Sequence, residues 1–131
     1  MSALPAELIL DPVRQIDGFV HACLVDAVSG MILSSLEEQD DMRLPVAAAG
    51  ATDVVNVLSL MTGELAADGD VEDVIVTLES HYLLIRLLRP GPGQRLLLLV
   101  TLARPHANMA MAHREIRDFS KALCREHDWV A

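Results

Sequence analysis

Hydrophobic positions recur along the chain with two different periods, and the places where the period changes mark out the elements. Residues 19–26, FVHACLVD, are rich in β-formers and read as a strand. Asp26-Ala27-Val28-Ser29-Gly30 follows as a turn with a glycine available for positive φ, and Met31 to Ser34 resumes as a strand, giving a β-hairpin. Ahead of it, Asp11-Pro12 fits the cap and first position of a short helix to about Ile16, stopped by Asp17-Gly18.

The longest periodic segment is residues 44–67. Ala47, Ala51, Val54, Leu58, Met61 and Leu65 recur at spacings of four and three, which predicts an amphipathic helix of roughly 35 Å with these six toward the core. The opposite side holds Thr52, Asn56 and Ser59, flanked by Val46, Val57 and Leu60 beside Asp53 and Glu64. A solvated helix face usually carries oppositely charged pairs four residues apart. A face this small, uncharged and partly apolar suits packing against another helix. Gly69 then ends the segment.

Three further strands are predicted, at residues 71–79, 81–88 and 95–103. In the first, Val74, Val76 and Leu78 alternate with Asp73, Ile75, Thr77 and Glu79. The Arg89-Pro90-Gly91-Pro92-Gly93 loop joins the second to the third. Leu96–Val100 shows no polar alternation, so that strand is expected at the sheet centre, covered on both faces. A last helix, residues 106–125, places Met109, Ala112, Ile116, Phe119 and Leu123 inward and Arg114, Arg117, Asp118 and Lys121 outward. The order is α-β-β-α-β-β-β-α, an α+β class with one five-stranded antiparallel sheet flanked by helices.

Composition narrows the partners. Aromatic residues make up only 3% of the 131, so platforms for stacking bases or sugars are nearly absent. A net charge of −9 argues against nucleic acid or anionic lipid. The charge is uneven: residues 1–80 carry fifteen acids and two bases, residues 81–131 four acids and eight bases. That asymmetry suits docking to a partner protein. The longest unbroken apolar run is far short of the ~18 residues of a membrane span, so no membrane insertion is expected. Two distant cysteines, Cys23 and Cys124, and an opening stretch without a basic region predict a reduced, cytoplasmic protein.

Candidate chemistry is thin. The one glycine cluster joins two strands, not a strand and a helix, so no phosphate-cradling loop is present. Cys124 with His127, and His106 with His113, lack a third ligand in register. Cys23 lies in a β-run as a small hydrophobe, and Ser34 and Ser35 lack the setting of an activated serine. Glu37-Glu38 and Asp40-Asp41 read as a solvated loop. No catalytic residue, cofactor or metal is therefore expected, and the chain reads as a non-enzyme.

Over about residues 14–124 the sequence resembles the Roadblock/LC7 domain family, also called dynein light-chain roadblock or MglB-like. The likeness lies in residues 19–26 with the hairpin after them, the long helix 44–67, and the closing LLLLVTLARPHANMAMAHREIRDF, where Ala107-Asn108-Met109 and residues 114–117 match the opening of the family's last helix. Ala110 and His113 stand where members often have glycine and arginine. The resemblance implies a profilin-like architecture, with an N-terminal segment 1–13, a domain 14–125 and a tail 126–131. It also implies a homodimer formed through the long helix and the third strand, the candidate interface being Val46, Thr52, Asp53, Asn56, Val57, Leu60, Glu64, Val74 and Val76. The implied partner is a small Ras-like GTPase of MglA type, whose nucleotide cycle or localisation the dimer modulates, with other signalling proteins encoded nearby as further candidates. Nine arginines against one lysine fit a GC-rich bacterial source. The alternative is a ligand-binding sensory module of PAS or profilin-like type, with a pocket between sheet and helix.

Overall fold

A computed structural model describes residues 9–37, 43–65 and 69–126. Five strands, β1 (Phe19–Asp26), β2 (Ile32–Glu37), β3 (Asp73–Thr77), β4 (His81–Leu88) and β5 (Leu96–Ala103), form one sheet in the order β2-β1-β5-β4-β3. Every pairing is antiparallel. β5 lies at the centre, between β1 and β4, and seven of its eight residues are buried. The unbroken leucine run thus reports a strand covered on both faces.

β1 and β4 have the bounds expected from the sequence, whereas β2 runs on to Glu37. Ser35 and Leu36 continue the ladder opposite Cys23 and Ala22, so pairing outweighs the poor strand preference of the serines. β3 is shorter than residues 71–79, because the Leu78 amide turns to donate to the His81 carbonyl at 2.8 Å and closes the link to β4. The acidic run 38–41, most of the long helix's exit and the tail 127–131 lie outside the described residues.

Helix α1 (Leu44–Glu64) covers one face and helix α2 (Met109–Glu126) the other, joined there by a 3-10 turn at Asp11–Gln15. Beneath α2, Leu24, Leu98, Val100, Ile116 and Leu123 pack with Leu10 and Val13. Leu10 and Val13 therefore share the core with residues assigned from the sequence to the domain proper. Beneath α1, Ala48, Ala51 and Val55 meet Cys23, Val25, Ile85, Leu97 and Leu99. Small residues on the helix face large ones on the sheet, which lets the two layers interdigitate.

α2 begins three residues later than its periodicity suggests. Pro105 belongs to a separate 3-10 turn, Arg104–His106, and Ala107 is extended. Asn108 then acts as the cap, its Oδ1 accepting from the Met111 amide at 3.1 Å. At the start of β1, Gly18 has φ +86°, and a Cβ there would lie 2.9 Å from the Ala103 carbonyl oxygen. Only glycine fits that crossing of two chain segments.

The expected core stripe of α1 needs correction. Its buried residues are Leu44, Ala48, Ala51, Thr52 and Val55, while Ala47 is exposed and Val54, Met61 and Leu65 face outward. The helix is turned by roughly 90° from the face its spacing suggested. It is apolar over most of its circumference, so several stripes compete and the sequence period does not select one. Thr52, assigned to the outer face, is only 7% exposed. Its Oγ1 donates to the Ala48 carbonyl at 2.9 Å, which satisfies the hydroxyl within its own helix and lets it sit inside.

Candidate partner interface

Two surface features carry no partner among the described residues. The first is the outer surface of α1. Val46 is 70% exposed, Val57 62%, Leu60 73% and Leu65 71%, with Val54 and Met61 about half-exposed. Beyond Val55, no described residue of α1 is buried. By length and composition α1 is apolar enough to cross a membrane, but its first half is packed on the sheet. The exposed residues form one apolar band broken by Asp53, Asn56 and Glu64. A band of this kind is the usual mark of a contact surface.

The second feature is β3, an edge strand whose Val74 packs on the sheet face that α1 covers. β4 takes the hydrogen bonds of one side of β3, and the other side pairs with no described strand. Val74 packs on the core under α1, and Val76 is likewise half-buried. Ile75 and Leu78 are exposed. An open edge with apolar side chains is a template for pairing with another chain.

β3 is held in place by charge. Asp73 Oδ2 accepts from Arg86 Nη1 of β4 at 2.8 Å and from His113 Nε2 of α2 at 2.6 Å. His113, expected to be an ordinary surface residue, thus ties the helix on one face to the sheet edge. Just before β3, Asp70 pairs with Arg89 at 2.9 Å. Arg104 Nη1 donates to the Leu78 carbonyl at 2.9 Å, and its guanidinium lies 5.1 Å from the centre of the Tyr82 ring. These contacts fix the strand without using its outer edge.

The remaining reactive groups are structural. Burial pushes the Cys23 thiol up to about 12, with the Glu37 carboxylate beside it adding to the effect, so the thiol stays protonated at neutral pH. Burial also raises Cys124. His21 is lowered, first by burial and then by the charge of His81. Among the described residues, no group of three or more His, Cys, Asp or Glu converges to hold a metal. A cavity of about 670 Å³ is lined by residues from 69 to 73 with Arg86, Leu87 and Arg89, with no aromatic group and no residue of α1.

No protein-family model matches the chain, and no curated protein matches it. Solved structures do. A Roadblock/LC7 domain from Streptomyces avermitilis is 21% identical and superposes with a TM-score of 0.75, over 93% of this chain and 95% of that one. Myxococcus xanthus MglB is 13% identical with a TM-score of 0.74, over 92% and 82%. The gliding protein MglB from Thermus thermophilus is 18% identical with a TM-score of 0.74, over 89% and 84%. The chain has the Roadblock/LC7 fold.

Within this Roadblock/LC7 fold the expected interface residues divide into three groups. Val46, Asp53, Asn56, Val57, Leu60 and Glu64 all lie on the exposed surface of α1. Val74 and Val76 lie on the edge strand, half-buried toward α1. Thr52 sits apart, in the seam between helix and sheet. Val54, Met61 and Leu65 join the exposed band although the sequence period assigned them to the core. The signal for them was the lack of charge around the helix, which is a property of composition and not of period.

Proposed function

We propose that the chain is a non-catalytic homodimeric regulator or scaffold that binds a small Ras-like GTPase and modulates its nucleotide cycle or its localisation. The observations that carry the reading are the apolar outer surface of α1 and the open edge of β3. A second copy related by a twofold axis would bring the same band and the same edge against themselves, as an isologous contact requires. Two sheets would then join through β3 while the α1 helices pack across the axis. The solved structures of the same fold include proteins described as MglB and as a gliding protein, which supports a place in motility signalling.

The GTPase partner is what the Roadblock/LC7 resemblance implies. Regulation would act through differential affinity for the GTP-bound and GDP-bound states, since a ligand shifts a two-state equilibrium only as far as it prefers one state. Catalytic groups from this chain are not required. The test is titration of the purified protein with a Ras-like GTPase from the same organism, loaded in turn with GDP and a non-hydrolysable GTP analogue. The expected result is two chains of the regulator in the complex and at least a ~10-fold preference for one nucleotide state. Equal affinity for both states, or no complex, overturns the proposal. Binding of α1 to lipid vesicles in place of a second copy would overturn its dimeric part.

A further inference from the structure

Arg86 and Arg89 each line two cavities, and the cavities differ in charge. Their carboxylate partners, Asp73 and Asp70, line the larger one. The same two arginines also line a cleft of about 260 Å³ between the end of β4 and the last turns of α2. Lys121 and Arg125 complete its cationic wall, and no carboxylate lines it among the described residues. Leu87, Leu88 and Cys124 supply its apolar floor. Four basic residues thus line one cleft in a chain of net charge −9.

We propose that this cleft binds a phosphate group. Asp73 holds Arg86 through Nη1 at 2.8 Å and Asp70 holds Arg89 through Nη2 at 2.9 Å, and each guanidinium carries five N–H donors in all. Arg86 is largely buried, its side chain only 12% exposed. Lys121 and Arg125 lie four residues apart on α2, where like charges repel and an anion between them would relieve the repulsion. Arginine forks match phosphate oxygens in pairs. Ser120 gives its hydroxyl proton to the Ile116 carbonyl at 2.7 Å, so recognition falls to the cations. The phosphate belongs to a small molecule or to a phosphorylated side chain of a partner.

The test is calorimetric titration of the full chain at fixed ionic strength, with inorganic pyrophosphate in one arm and a short phosphoserine peptide in the other. Saturable binding, one per chain, with a Kd of ~1 mM or tighter is expected in at least one arm. The double variant Lys121→Gln, Arg125→Gln should weaken it by ~10-fold or more, because two charge-assisted contacts are lost. Both residues are exposed, so the variant should keep the wild-type melting temperature. Arg114→Gln, on the same helix but outside the cleft, should leave binding unchanged. Tighter binding of pyrophosphate assigns the site to a small molecule, and tighter binding of the peptide assigns it to a protein. No saturation in either arm, or equal loss in Arg114→Gln, overturns the proposal. This result is independent of dimerisation and of any GTPase.

Discussion

Replacing Val57 with aspartate probes the α1 surface at the middle of its exposed band. Val57 is 62% exposed in the single chain. Fully burying a valine is worth about 1.5–3 kcal/mol, so covering what remains exposed contributes about 1–2 kcal/mol per protomer. A twofold contact counts it twice, about 2–4 kcal/mol in all. Aspartate also brings two carboxylates into an apolar seam, and each unpaired charge costs several kcal/mol more. The total is about 5 kcal/mol or more, a loss of at least ~10³ in the dimer's Kd. The side chain makes no contribution to the core, so the fold should survive, with unchanged far-ultraviolet circular dichroism. Sedimentation velocity between ~1 and ~100 μM reads the outcome: a dimer for the native chain and a monomer for Val57→Asp. The reasoning is refuted if the native chain sediments as a monomer throughout, or if the variant keeps its Kd within about threefold.

The other predictions concern the elements that hold this surface in place. Asp73→Asn removes the shared acceptor of Arg86 and His113 and should destabilise the chain by about 2–3 kcal/mol, measured by urea unfolding; a change within ~0.5 kcal/mol would show that the clamp is idle. Gly18→Ala should cost at least about 1–3 kcal/mol, since it combines a positive φ with a Cβ 2.9 Å from a carbonyl oxygen; an unchanged melting temperature would contradict this. His21 is depressed below its ordinary value of 6.5, so the unfolded chain takes up the proton first as pH falls. Its contribution to stability is therefore complete above about pH 6.5 and declines below it, and His21→Gln should flatten the slope of stability on the acid side of pH 6.5. For Cys23 the sign is opposite: the unfolded thiol ionises from 9.0 and the folded one only at about 12, so stability falls as pH rises between those values. In alkylation kinetics at pH 8, Cys23 should react more slowly than the less buried Cys124.

Elements whose burial follows one period were legible from the sequence. α2 places charge on one side and Ala112, Ile116 and Leu123 on the other, and those three are buried as expected. β5 showed its central place through leucines with no alternation. α1 was legible as a helix and as a contact surface, yet its rotation was not, because a helix apolar nearly all round holds no phase. Thr52 illustrates the difficulty, since a polar side chain satisfied by its own helix leaves no trace in the periodicity. The Asp73–Arg86–His113 clamp was illegible for a different reason. Asp73 and His113 are 40 residues apart, and only the folded sheet brings them together. The basic cleft was foreshadowed by the charge asymmetry of residues 81–131, but its concavity needs β4 and α2 in place.

The central position of β5 gives the molecule an internal ruler for hydrogen exchange. Its amides lie between two neighbours and under both helical layers, so they should exchange only when the whole chain opens and report the global free energy of unfolding. The strands at the two sheet margins, β2 and β3, open by local fraying and should exchange faster. In a β3-paired dimer, a concentrated sample would slow exchange at β3 and leave β2 at its dilute rate. The difference between two edges of one sheet, read against the same central strand, then locates the contact without any substitution.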